Sequence, residues 1–275
     1  MPLQVQAEVL AMGRVGAYYS LTVAAPGIPE LTRPGHFLAV QVGGPASSML
    51  LRRAFAIYRA DAGVVEVVFA VHGAGTAWLA GQRPGDVLDV VGPLGTPFPV
   101  PDVARTATLV GGGYGVAPLL PLAEALRARG GEVDMVLGAG DADRLFGVQQ
   151  AGRTARTVVV TTDDGSAGER GRVSDVLPAL LARTASEVVY ACGPMGMLRA
   201  VAEQAATAGI LSYVAVEESM ACGIGVCMTC VLPVVGDDGL TRMVRSCVEG
   251  PVFAGDRVRW DALGTVPADA VGAPR

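Results

Sequence analysis

Four cysteines carry the most specific chemistry in this sequence. Cys222, Cys227 and Cys230 lie within nine positions, and Cys247 follows after a further sixteen residues. Thiols gathered so closely are ligands for iron or zinc. The spacing C-x4-C-x2-C with a distant fourth cysteine is that of plant-type 2Fe-2S ligand sets. Structural zinc sites more often pair two short C-x2-4-C knuckles across a spacer, so iron-sulfur leads and zinc stays open. Gly223 and Gly225 suit a loop wrapped around sulfide, where backbone N–H groups point at sulfur and a β-carbon would obstruct.

The fourth thiol must be carried to the other three. Met228 to Val235 reads as a strand, Gly236-Asp237-Asp238-Gly239 as a turn, and Leu240 to Cys247 as a second run. A hairpin with that turn sets residue 247 beside 228, close to Cys227 and Cys230.

The rest of the chain must position this loop. At 275 residues, 51% apolar and 17% charged, it can bury a substantial core and hold two or three modules. The net charge of -5 contains no basic run, which excludes a nucleic-acid track. Apolar runs break well before the roughly 18 residues of a membrane span. The first residues alternate like a strand and show no export signal, so a cytoplasmic setting with reduced thiols is expected.

Residues 1 to about 98 read as short β runs with Pro and Gly punctuation, the pattern of a barrel, interrupted by one helix from Thr76 to Gln82. From about 104 to 212 the pattern becomes strand, glycine turn and helix, a parallel α/β layout. Thr106 to Val110 leads into Gly111, Gly112, Gly113 and Gly115, then an apolar-faced helix around Leu119 to Arg129. A dinucleotide site requires a glycine turn at that junction, although this one is not a strict G-x-G-x-x-G. Asp163 follows the third strand at its carboxyl end, where open α/β sheets bind ligands. Asp141, soon after the second strand, could accept ribose hydroxyls and repel a 2'-phosphate, which points to NAD over NADP. His36 and His72 read as structural or turn histidines, and residues from Val266 onward as a loose tail.

MACGIGVCMTC followed by RSCVEGPVF resembles the iron-sulfur segment of the dihydroorotate dehydrogenase B electron transfer subunits, and the likeness extends over about residues 5 to 262. The earlier motifs are shared with the wider ferredoxin reductase superfamily. The resemblance implies a multidomain fold: an antiparallel β-barrel flavin domain at 1-100, an α/β parallel-sheet nucleotide domain at 101-212, a small C-terminal 2Fe-2S domain at 213-262, and a tail at 263-275.

It also implies roles for particular residues. The family's Arg-x-x-Ser/Thr flavin motif falls on Arg53, Ala54, Phe55 and Ala56, with Arg53 facing pyrophosphate and Ala56 in place of the hydroxyl residue. Gly73, Gly75 and Thr76 form the second flavin element, where glycines let phosphate approach the backbone. The GGGxGxAP run lies beside the nicotinamide nucleotide. Cys192, Gly193 and Pro194 match the CGP motif, whose cysteine sits where nicotinamide meets flavin; as residues alone they equally fit a small buried core thiol.

Expected cofactors are therefore FAD and a 2Fe-2S cluster, with NAD as substrate. The expected partner is an FMN-containing dihydroorotate dehydrogenase catalytic subunit, in a heterotetramer of two of each. Nothing in this chain resembles a dihydroorotate site. The alternative within the superfamily is a subunit of the ferredoxin:NADP oxidoreductase or sulfide dehydrogenase type, and outside it a zinc-stapled interaction subunit without catalysis.

Overall fold

A computed structural model describes residues 1–44 and 47–273. Its first six strands are β1 (Leu3–Val15), β2 (Tyr18–Ala24), β3 (Phe37–Val40), β4 (Arg53–Asp61), β5 (Val64–Phe69) and β6 (Val87–Leu94). They close into an antiparallel barrel in the order β1-β2-β5-β4-β3-β6. Alternation explains the closure, because inward positions such as Ala7, Val9, Leu21, Val23, Val65 and Val67 are buried and form one core. Helix α1 (Ala74–Ala80) plugs onto that core through Leu79. It starts two residues before the Thr76 expected, because Thr76 Oγ1 accepts the N–H groups of His72 and Gly73 and so closes the first turn from inside.

The second unit contains β7 (Thr106–Gly112), α2 (Leu119–Ala128), β8 (Glu132–Ala139), α3 (Val148–Thr154), β9 (Thr157–Thr162), β10 (Glu169–Arg170), α4 (Val173–Thr184), β11 (Val188–Cys192), α5 (Met195–Thr207) and β12 (Leu211–Ala215). The sheet order is β10-β9-β8-β7-β11-β12, parallel throughout. Successive residues of one strand serve opposite faces: Leu109 and Met135 pack with α2, whereas Val110 and Val136 pack with α4 and α5. With helices on both faces the strands read as continuous apolar runs. Leu119, Leu122 and Leu126 of α2 and Leu198, Val201 and Ala205 of α5 are all buried, as their helical spacing implies.

The third unit is built on the hairpin β13 (Val231–Val235) and β14 (Thr241–Arg245), followed by β15 (Val252–Ala254). β15 leaves the hairpin and joins β12 antiparallel, so the large sheet has seven strands. β12 crosses the boundary expected at 212/213, and the third unit is thereby stitched to the second. Leu232, Val258 and Phe253 enter the α4/α5 core, while Cys230 and Cys247 pack against Phe37, Ala39 and Leu94 of the barrel.

Two expectations here need correction. The hairpin register pairs Val231 with Arg245, and Ser246 N–H donates to Cys230 O at 2.9 Å, so Cys247 lies beyond Cys230 rather than beside Met228. Met228 has φ +58, which keeps it out of the strand. The expected loose tail is tied down as far as it is described. Val271 N–H donates to Thr241 O at 2.9 Å, Arg259 pairs with Asp269 at 3.0 Å, and Ala270 is buried. Residues 274 and 275 of that tail lie outside the described residues.

Candidate functional site

A cleft of about 1170 Å³ runs between the barrel and the carboxyl ends of the parallel strands, larger than the roughly 300–1,000 Å³ of ordinary small-ligand pockets. Its barrel wall is Arg53 to Ala56 on β4 and His72 to Thr76 at the start of α1. The guanidinium of Arg53 lies against Gly75, where a β-carbon would come within 3.0 Å of Nε. It donates to Leu51 O at 2.8 Å, which fixes the fork beside the glycines. A rigid guanidinium next to bare backbone is a fitting receptor for a pyrophosphate.

The opposite wall is the glycine turn after β7 and the Cys192-Gly193-Pro194 loop after β11. These two touch directly. A β-carbon on Gly115 would stand 2.6 Å from Cys192 O and 2.9 Å from Gly193 Cα, and one on Gly112 would stand 2.9 Å from Pro194 Cδ. Only glycine permits that approach, and it makes both loops one surface. Gly112, Gly113 and Gly115 line the cleft. Gly111 does not: it is buried under Val116 and serves packing.

Cys192 lines the cleft and also touches the core around Leu109 and Tyr190. Burial, then the charge of Glu217, pushes its thiol up to about 12, so at neutral pH it keeps its proton. Glu217 accepts a hydrogen bond from Tyr114 Oη at 3.2 Å. Tyr114 in turn packs edge-on to Tyr18 of the barrel at 5.3 Å. Burial and then Glu217 raise the Tyr114 phenol above its ordinary value, so it stays a donor.

The four thiols follow the 215–220 segment in the chain and are not among the residues that line the cleft. They stand as two pairs. Cys222 and Cys227 share hydrogen bonding on the loop, and Cys230 and Cys247 share it at the base of the hairpin, with Cys222 close enough to bias Cys247. Cys222 Sγ accepts from the N–H groups of Val226 at 3.3 Å and Cys227 at 3.5 Å. Hydrogen bonding to Thr229 first, then to Cys222, lowers the exposed Cys227 thiol to about 6. Burial pushes Cys247 up to about 12. Ser246, next to Cys247, has a buried hydroxyl without a partner among the described residues. Among those residues no three His, Cys, Asp or Glu side chains gather as one metal ion would draw them. Four thiols on one loop and hairpin, with N–H groups aimed at the Cys222 sulfur, are the donor set that would hold a 2Fe-2S cluster.

The comparisons agree with this chemistry. Residues 217–259 match the family described as the iron-sulfur cluster binding domain of dihydroorotate dehydrogenase B, and residues 109–203 match the oxidoreductase NAD-binding domain. The dihydroorotate dehydrogenase B (NAD(+)) electron transfer subunit of Bacillus caldolyticus is 40% identical over 244 residues, covering 87% of this chain and 92% of that protein. The same subunit from Geobacillus kaustophilus is 41% identical with the same coverage. This chain belongs to the dihydroorotate dehydrogenase B electron transfer subunit family.

Among solved structures, a chain of the NADH-dependent reduced ferredoxin-NADP oxidoreductase matches with TM-score 0.82 and 29% identity, covering 94% of this chain and 91% of that one. The ferredoxin reductase of carbazole 1,9a-dioxygenase, at 22% identity and TM-score 0.64 over 76% of this chain and 67% of that one, shares the fold.

Read as a member of this family, the chain brings most of the expected residues to one place. Arg53, Ala54, Phe55, Ala56, Gly73, Gly75, Thr76, Asp163, Cys192, Gly193 and Pro194 all line the cleft. Asp141 does not. Its carboxylate accepts from Arg144 N–H at 3.0 Å and Arg144 Nη1 at 2.6 Å, capping a short 3-10 turn, and Arg144 rather than Asp141 faces the cleft. Sequence reading missed Phe37, Tyr114, Glu217 and Met220. Phe37 and Met220 line the cleft and also pack with Cys230 and Cys247, so they belong to both sites at once. Phe37 lies on β3 with no motif to mark it, whereas Tyr114 stands inside the glycine run and Met220 opens the cysteine stretch, at positions that spacing alone does not single out.

Proposed function

We infer that the chain is the electron transfer subunit linking a dihydroorotate-oxidising partner to NAD+, with a 2Fe-2S cluster and FAD as its own groups. The observation that carries this reading is the contact through Phe37 and Met220, which pack against Cys230 and Cys247 and also line the nucleotide cleft, so the two sites share side chains. A flavin, when bound, would exchange one hydride, two electrons at once, with nicotinamide and single electrons with iron-sulfur centres. The residues do the rest. Arg53 and Gly73 to Thr76 hold the flavin's phosphates; the Gly112–Gly115 turn and Gly193-Pro194 hold the nicotinamide nucleotide. Cys192, protonated and uncharged, supports the ring contact without competing as a nucleophile, while Glu217 and Tyr114 orient that corner.

The partner carries the dihydroorotate site and FMN, in an assembly of two copies of each chain in the cytoplasm. Ile224, Val226, Met228 and Val248 are exposed around the exposed Cys227, an apolar rim suited to a docked electron donor. Among the described residues no helix is long and apolar enough to cross a membrane.

Cys230→Ser tests the order of the two sites. Dihydroorotate-dependent NAD+ reduction by the reconstituted pair should fall at least a hundredfold while NADH-to-dye turnover is kept. Equal loss of both would sink the relay. A second reading, a ferredoxin:NADP oxidoreductase subunit, is favoured by the 0.82 TM-score match. A pair that ignores dihydroorotate but reduces NAD(P)+ with reduced ferredoxin would establish it instead.

A further inference from the structure

Arg245 ends β14, two residues before Cys247, and its guanidinium is engaged on both edges. Nε and Nη2 face Glu249, with Nη2 donating to Oε1 at 2.6 Å and Nε to Oε1 at 3.3 Å. Glu249 Oε2 also accepts from the Arg245 backbone N–H at 3.0 Å, so the carboxylate is fixed to the same turn. Nη1 points the other way and donates to Gly225 O at 2.9 Å, inside the loop between Cys222 and Cys227. The peptide that receives it makes a second bond. Its N–H belongs to Val226 and donates to Cys222 Sγ at 3.3 Å. The C=O and N–H of a trans peptide point in opposite directions, so one rigid plane joins the guanidinium to the sulfur.

Hydrogen bonds in such a chain polarise one another: a cation on the carbonyl draws charge from the N–H and strengthens its donation to sulfur. The guanidinium also attracts the Cys247 and Cys230 thiolates directly. Its side chain is 35% exposed, so solvent screens that attraction only in part. A cluster held by four thiolates gains a further negative charge on reduction. Net charge and hydrogen bonds to sulfur both act on the potential of such a centre, and here both favour the reduced state. We propose that Arg245 is a positioning residue that raises the reduction potential of the cluster, through the Gly225-Val226 peptide and through its own charge, while Glu249 holds the fork and offsets part of that charge. This rests on the iron-sulfur reading of the thiol quartet.

The test is a redox titration of the anaerobically purified full chain with dithionite and mediators, followed by the electron paramagnetic resonance of the reduced cluster. Arg245→Gln should lower the ratio of reduced to oxidised cluster at a fixed potential at least threefold, which is about 28 mV at roughly 59 mV per tenfold for one electron. Glu249→Gln leaves the cation without its counter-charge and should move the ratio the opposite way. Arg245→Lys should shift it less than Arg245→Gln, because it keeps the charge and loses the fork. A clamp that only shapes the loop would make the two Gln variants move alike; that result, or an Arg245→Gln protein at the parent potential, overturns the proposal. If Arg245→Gln does not retain iron, Glu249→Gln decides alone, and a potential that fails to rise there overturns the proposal. An unmodified chain that holds no iron and labile sulfide overturns the cluster reading, and this inference with it.

Discussion

Gly115→Ala adds one methyl group where two loops from different strands meet. The new carbon would stand 2.6 Å from Cys192 O and 2.9 Å from Gly193 Cα, against the 3.4 Å or more of ordinary contact. Both obstacles are backbone, so no side chain can swing away. Either the glycine turn or the Cys192-Gly193-Pro194 loop must retreat by most of an ångström. Overpacking of this kind costs about 1–3 kcal/mol, which for a chain of this size lowers the melting temperature by roughly 2–10 °C. The functional loss should exceed the loss of stability. Both loops line the cleft, and a displacement near 1 Å at a reacting geometry costs about a hundredfold in rate. The control is Gly152→Ala in α3, where the β-carbon meets nothing within 4 Å and alanine should stabilise the helix by about 0.5–1 kcal/mol. Scanning calorimetry and NADH-to-dye kinetics on both variants give the comparison. A Gly115→Ala protein that melts and turns over like the parent would refute the claim that these loops form one surface.

Other outcomes follow from the same geometry. Arg53→Ala should weaken FAD retention roughly ten- to a hundredfold, and Arg53→Lys should recover little of it, because charge-assisted bonds of about 1.5–3 kcal/mol depend on the fork; equilibrium dialysis against free FAD reads the ratio. In protein stripped of iron at pH 7, Cys227, with its thiol at about 6 and exposed, should be mostly thiolate and be alkylated first. Cys192, at about 12, should hold only about one part in 10⁵ as thiolate and label far more slowly than Cys227, as should Cys247; labelling of Cys192 as fast as Cys227 in peptide mass spectra would contradict the assignment. His36 is buried, and burial first, then Arg33, lowers it from 6.5 to about 4. Between those values the unfolded chain binds the extra proton, so stability is full above about pH 6.5 and falls as pH drops toward 4, by up to about 3 kcal/mol. Urea midpoints at pH 7.5 and 5.0 should converge in His36→Gln.

Much of this was legible in the residues because local chemistry and position coincide. The barrel strands and the glycine turn show as apolar periodicity broken by Gly and Pro, and the cysteine spacing is a ligand pattern in its own right. What escaped depends on partners distant in sequence. Counting from the end of a strand picks Asp141 as readily as Asp163; only the fold shows that Arg144 has already claimed the first. The hairpin register needed the conformation of the turn, where Gly236 N–H donates to Leu240 O at 2.9 Å, and of Met228, whose positive φ delays the strand. Gly111 looks like its neighbours but faces Val116, since in a strand alternate residues point to opposite sides.

The arrangement of the third unit has a mechanical consequence. A four-thiol loop on a two-stranded hairpin is too small to hold its own core, because a lone hairpin is marginal in water. Here the hairpin borrows two cores: Leu232 enters the α4/α5 layer, and Cys230 and Cys247 close against Phe37 and Leu94 of the barrel. Arg245 adds a local clamp, donating to Gly225 O at 2.9 Å and pairing with Glu249 at 2.6 Å, so that the exposed half of the loop is fixed to the buried half. The thiol quartet is therefore rigid relative to the cleft on one side and open to solvent on the other. Rigidity is what transfer between fixed centres needs, and exposure is what a docking donor needs; the same short segment supplies both because its buried cysteines face inward and Cys227 faces out.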